Sequence, residues 1–275
     1  TPALFLMGVG PLARWKEADL AGLALRLRWA LAVSVASALL VPLATAGWSF
    51  AQWRPLVSFG LAIAFWILCA SAVNLRERLA RVPGGIAAKI ASQPSGYYGM
   101  LLAHCGVAVF IIGVTLVRGY EVERDVRMEI GDTVVVGGYT FRFDGAQSVK
   151  GPNYRAARGT VNVSRDGKEV AVLRPEKRIY NVSNMPMTEA DIDTGLLGDL
   201  YVSLGEPVEN GAWSVRIYTK PFITWIWGGC AIMALGGLLA LADRRYRMAV
   251  RREERVLPAG TPMQSPPTGK PGTLG

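Results

Sequence analysis

Two kinds of hydrophobic pattern divide the chain. Four stretches are continuously apolar over 20 or 21 residues: Trp29–Trp48, Pro55–Asn74, Tyr98–Val117 and Phe222–Ala242. None carries Asp, Glu, Lys or Arg in its interior. A helix of that length rises about 30 Å, the thickness of the hydrocarbon core of a bilayer, so these runs predict four membrane-spanning helices. Between the third and fourth the period changes to two, in Val126–Ile130, Tyr139–Phe143, Thr160–Ser164, Glu169–Leu173, Leu200–Leu204 and Trp213–Tyr218. Alternation with β-branched and aromatic residues predicts strands. Asp166–Gly167 between two of them marks a tight hairpin, and Gly131–Asp132, Gly137–Gly138 and Asn210–Gly211 mark further turns. Six or seven such strands suggest a small closed barrel or a sandwich. The rhythm breaks over Asn184–Gly198, which reads as a long loop or a short helix, with Asp191 and Asp193 on a solvated surface.

The fold class that follows is a polytopic α-helical membrane protein with an inserted extracytoplasmic β-barrel or sandwich. Residues 1–117 hold membrane helices, with spans about 29–48, 55–74 and 98–117. Residues 118–221 form the β-rich domain, 222–242 the last transmembrane helix, and 243–275 a basic, Pro/Gly-rich tail whose end has the composition of disorder. The first dozen residues, Thr1–Leu12, are apolar but too short to span, and they lack a basic n-region. They read as the end of a membrane helix, and the chain as the C-terminal piece of a longer or split protein.

Charge gives these segments sides. Arg14–Arg28 holds four bases and two acids, Arg76–Lys89 four bases and one acid, and the tail after Ala242 seven bases and three acids. The insert 118–221 has 14 bases and 15 acids. The positive-inside rule assigns the three basic segments to the cytoplasm and the β domain to the opposite side. Trp29, Trp48, Trp53, Trp225 and Trp227 fall near the expected interfaces, as an aromatic belt would. Topology thus accounts for the net charge of +9, with no need of a nucleic-acid partner.

Candidate chemistry is sparse. Cys69, Cys105 and Cys230 lie in the apolar runs without a CxxC pair, which offers neither thiol exchange nor a thiolate zinc site. There is no glycine-rich phosphate loop. The single histidine, His104, sits inside the third span. An ionisable group at that depth marks a functional site by default, and imidazole is a haem axial ligand. Gly99, Ala103, Gly106 and Gly113 make one flank of this helix small, open to a neighbouring helix or a flat macrocycle. A neutral histidine bonded to another helix remains the alternative. One histidine supplies one ligand, so any second ligand comes from outside the chain.

The segment Tyr97–Gly113 around His104, together with Leu6-Met7-Gly8-Val9-Gly10-Pro11-Leu12-Ala13-Arg14-Trp15, resembles the CcmF family of cytochrome c-type biogenesis proteins. The order of elements is similar as well: paired helices, the histidine helix, an outer domain from near Gly119, a last helix and a basic tail. The resemblance extends to about Arg247. It implies the C-terminal part of a cytochrome c haem lyase in the bacterial inner membrane, its β domain periplasmic and its C-terminus cytoplasmic. In that family, haem delivered by the chaperone CcmE is joined to apocytochrome c by thioether bonds at reduced CxxCH thiols. Two transmembrane histidines hold a separate b-type haem. His104 would be one axial ligand to that haem iron, with Ala103 and Gly106 beside it in the cofactor site. The second histidine and the tryptophan-rich segment that handles delivered haem are absent from this sequence, so the resemblance implies a piece that is inactive alone. Its implied partners are the missing N-terminal part, CcmE, the apocytochrome-handling CcmH/CcmI and apocytochrome c. Arg76, Arg78, Arg81 and Lys89 are candidates to meet haem propionates. The alternative function is a membrane-anchored structural or partner-docking module with no cofactor site of its own.

Overall fold

The computed structural model describes residues 2–12, 20–45, 53–182 and 185–243. Six α-helices are present among them: α1 (Pro2–Val9), α2 (Leu20–Thr45), α3 (Pro55–Ala80), α4 (Ile86–Ala91), α5 (Ser95–Tyr120) and α6 (Ile223–Leu241). Four of these, α2, α3, α5 and α6, are long and apolar enough to cross a membrane. The chain is a polytopic helical membrane protein with an inserted β domain.

Helices α2, α3 and α5 overrun the apolar stretches that announced them. The reason is that a hydrophobic run marks the hydrocarbon layer, whereas backbone hydrogen bonding continues into the polar zone. Thus α2 begins nine residues before Trp29 and takes Arg26 and Arg28 into the helix. α3 continues past Asn74 through Arg76, Glu77 and Arg78. Its start coincides with Pro55, whose missing N–H costs nothing in a first turn. The short α4 lies in the basic segment, where no helix was expected. Trp48, Arg14, Trp15, Asn184 and the tail from Arg244 lie outside the described residues.

The helices pack in sequence, α2 on α3, α3 on α5 and α5 on α6, with α1 against α3. Trp66 on α3 anchors α1: its ring stacks on Phe5 at 5.0 Å and its indole Nε1 donates to the Phe5 carbonyl at 2.9 Å. The α5–α6 pair is antiparallel and unusually close. Glycines recur every seven residues on both helices, at 99, 106 and 113 and at 229 and 236. A Cβ added to Gly106 would stand 2.6 Å from the Met233 nitrogen, and one on Gly236 would stand 2.6 Å from the Ala103 nitrogen. Backbone therefore meets backbone, the packing that small residues allow inside lipid.

The β domain contains β1 (Val122–Met128), β2 (Thr133–Val136), β3 (Tyr139–Lys150), β4 (Tyr154–Arg165), β5 (Lys168–Leu173), β6 (Glu176–Tyr180), β7 (Pro186–Glu189), β8 (Asp191–Asp193), β9 (Gly198–Pro207) and β10 (Trp213–Pro221). One sheet has the order β1-β10-β9-β8 and the other β2-β3-β4-β6-β7, with β5 also paired to β4. The sheets share a core that includes Met128, Phe141, Phe143, Val161, Val163, Val202, Leu204, Val215 and Ile217. Asp166 and Gly167 both take positive φ, 51° and 76°, as a type I′ hairpin requires.

The stretch 184–198, expected to be a loop or short helix, instead holds two strands. β7 pairs with β6 in one sheet, and after Ala190 β8 pairs with β9 in the other. A strand that changes sheets midway, with three of its first four residues exposed, has no sustained alternation to read. Asp191 helps fix the crossover by accepting the Arg174 N–H at 2.6 Å.

Candidate functional site

His104 lies near the middle of α5, about 14 Å from Ser95 at 1.5 Å per residue. At 100° per residue it shares a stripe with Tyr97, Ala108, Ile111 and Thr115. That stripe faces α3. The Tyr97 hydroxyl donates to Asn74 Oδ1 at 2.7 Å. Ala108 is fully buried in a cluster with Ala64, Trp66 and Ile67, and Thr115 lies against Gly60. His104 itself is half-buried. Among the described residues no hydrogen bond reaches its imidazole, and no fully buried side-chain nitrogen or oxygen lacks a partner, so its nitrogens are not sealed in.

Gly106, two residues on, is turned about 200° from His104 and sits against α6. The Ala103 backbone meets Gly236 of α6. The small flank of the histidine helix is thus filled by another helix. Ala103 and Gly106 hold α5 at a fixed distance from α6, while His104 belongs to the other side. Cys105 and Cys69 are half-buried and Cys230 is exposed. Among the described residues no three His, Cys, Asp or Glu side chains gather as a metal site.

At the basic ends of the helices a cleft of about 750 Å³ opens on the same side. Its lining includes Arg26, Asn74, Glu77, Arg78, Arg81, Tyr97, Met100 and Asp243. Met100 is one turn from His104 and Tyr97 two. The Arg78 guanidinium stands 4.2 Å over the Tyr97 ring. Glu77 meets Arg26 and Arg81 at 3.7 Å each, long distances that leave both cations loosely held. Asp243 accepts the Gly96 N–H at 2.8 Å and so caps the start of α5. Of the four cations singled out in the sequence, Arg78 and Arg81 line this cleft, and Arg76 and Lys89 do not. Arg26 and Asn74 were missed. Asn74, a polar residue closing an apolar run, was the available signal.

In the β domain the most enclosed charge is Glu176, 6% exposed. Burial pushes its carboxyl up, but hydrogen bonds from Arg178 and Arg158, each at 2.6 Å, outweigh that and hold it below the usual carboxylate range. This is a structural clamp between β4 and β6.

Residues 119–221 match the family described as the CcmF C-terminal beta-sandwich. Over 253 residues the chain is 46% identical to the cytochrome c-type biogenesis protein CcmF of Pseudomonas aeruginosa, covering 90% of this chain and 37% of that protein. The chain is CcmF-like. It is 43% identical to CcmF of Escherichia coli over 250 residues, covering 90% of this chain and 37% of that protein. The cytochrome c-type biogenesis protein CycK of Rhizobium meliloti is 38% identical over 257 residues, with 92% and 37% covered. A solved structure titled cytochrome c heme lyase CcmF superposes with a TM-score of 0.68 at 23% identity, over 87% of this chain and 38% of that one. That likeness establishes a shared fold. The CcmF-like chain thus spans little more than a third of the length of these relatives.

Proposed function

We propose that the chain is part of a cytochrome c haem lyase and contributes His104 as one axial ligand to a b-type haem inside the bilayer. The observation that carries this reading is a half-buried imidazole near mid-helix, with no hydrogen bond to it among the described residues. The donor is of the right chemistry for haem iron. The second ligand belongs to membrane helices outside this chain. When bound, such a haem supplies a one-electron redox centre within the membrane.

The chain's own residues hold the ligand in place. The α6 contact at Gly106 and the Tyr97–Asn74 bond to α3 fix the rotation of α5 from its two sides. Arg78, Arg81 and Arg26 are the cations within the cleft nearest that stripe, and we assign them pairing with the propionates. The basic helix ends are cytoplasmic and the β domain periplasmic, in a bacterial inner membrane. There the domain works beside the N-terminal part of the protein, the chaperone CcmE, CcmH/CcmI and apocytochrome c.

The test is the absorption spectrum of the assembled protein, as purified and reduced. A low-spin haem signature is expected, and it is lost or altered in His104→Ala. An identical spectrum in that variant defeats the ligand assignment and favours a docking module without a cofactor. For the propionates, Arg78→Gln is expected to weaken haem retention. Unchanged retention together with an unchanged potential rejects that part alone.

A further inference from the structure

The segment 194–197, between β8 and β9, is bonded to the beginning of α6. Thr224 Oγ1 donates to the Gly195 carbonyl at 2.8 Å, Trp225 Nε1 to the Leu196 carbonyl at 3.0 Å, and the Phe222 N–H to the Leu197 carbonyl at 3.0 Å. Three consecutive carbonyls therefore take their donors from the mouth of a membrane-spanning helix. Leu196 and Leu197 nevertheless leave their side chains 71% and 68% exposed.

The height of this loop follows from the register of α5 and α6. A Cβ on Gly113 would meet Ile226, while α5 runs on for seven more residues to Tyr120, about 10 Å further along the axis. Thr224 and Trp225 are consequently level with the last turns of α5, at the outer edge of its apolar segment. A loop bonded to them lies close to that depth. Trp227, 74% exposed, is on the same turn of α6, and tryptophan favours this boundary.

We infer that Leu196 and Leu197 are inserted into the outer leaflet of the bilayer, making the loop a third attachment of the β domain beside its two covalent links to α5 and α6. Lipid is the occupant that suits both features. Two adjacent leucines exposed at acyl-chain depth leave water, and the three loop carbonyls, which lipid could not satisfy, already have their donors. The attachment stands independently of the haem assignment.

Spin labels test this in the full protein reconstituted in vesicles of phosphatidylcholine and phosphatidylglycerol, with Cys69, Cys105 and Cys230 replaced by Ala. Labels on Leu196→Cys and Leu197→Cys are expected to show an oxygen-to-nickel-chelate collision ratio several-fold above that of Val182→Cys, a 97% exposed position. A ratio equal to that of Val182→Cys overturns the inference. So does low collision with both reagents, which means that protein covers the leucines. Where labelling disturbs the loop, unsubstituted protein with lipids carrying an acyl-chain photoreactive carbene gives a second reading. Lipid adducts on 194–197 support insertion, and adducts confined to the helices reject it.

Discussion

The α5–α6 pair and the β domain are held together by opposite means. In the β domain, large side chains such as Phe141 and Phe143 fill the space between two sheets and are removed from water altogether. Between α5 and α6 the middle of the interface is built on glycines, with only small gaps for side chains such as Met233 and Ile226. Gly106, Gly229 and Gly236 let the two backbones approach. The difference follows from the solvent. Water drives apolar side chains together at about 25 cal/mol per Å² buried, while lipid offers a leucine as good an environment as another helix does, so close contact and shape must supply the association.

The β core is the more sensitive of the two to lost volume. Phe141→Ala is expected to destabilise the domain by about 3–5 kcal/mol, the range for a buried phenylalanine that leaves a cavity, read as a lowered urea midpoint. Next is Gly106→Leu, which pushes a side chain into the Met233 backbone. Overpacking of this kind costs about 1–3 kcal/mol, measured by mixed-micelle denaturation or by loss of α5–α6 cross-linking. The informative feature is the inverted sign of the size rule: removing volume harms the β core, and adding it harms the helix pair.

Glu176→Gln follows, at about 2 kcal/mol for losing charged hydrogen bonds to Arg158 and Arg178. Its sign with pH is defined. The folded-state value of the carboxyl lies below its unfolded value of about 4.3. Its contribution is therefore complete above about pH 4.3 and is lost as pH falls through the folded value. The unsubstituted domain should lose stability on acidification more steeply than the Gln variant, and equal slopes in an acid titration followed by circular dichroism would refute the clamp. The smallest effect belongs to Gly228→Ala. A Cβ there meets nothing within 4 Å, so the change stays within about 0.5 kcal/mol. Together with Gly106→Leu it separates the packed face of the pair from the open one.

Much of this architecture was legible one residue at a time. Long apolar runs announced the four spanning helices, and period-two alternation announced the strands around Phe141, Val161 and Ile217. The Asp166–Gly167 hairpin was readable too, because a turn is chosen by its own two residues. β7 and β8 were not, since each short strand owes its existence to a partner, Glu176–Ile179 for one and Leu200–Val202 for the other. At the candidate site the helix and its histidine were visible, but the cleft was half visible. Arg78 and Arg81 stood out as basic residues, whereas Arg26 comes from a helix that crosses to meet them.

What the sequence determined by itself is whatever depends on neighbours along the chain: which segments enter lipid, which side carries the positive charge, and that one imidazole sits within a span. What only the tertiary structure decided is what each face meets. Gly99, Gly106 and Gly113 made a small flank suited equally to a helix or a macrocycle, and it is α6, more than a hundred residues later, that fills it. The exposed Leu196 and Leu197 looked like ordinary loop residues until their carbonyls were found bonded to Thr224 and Trp225. The physical reason is common to both. Local pattern records whether a residue prefers water or oil, whereas its partner is chosen by contacts that close long loops, and those leave no periodic trace.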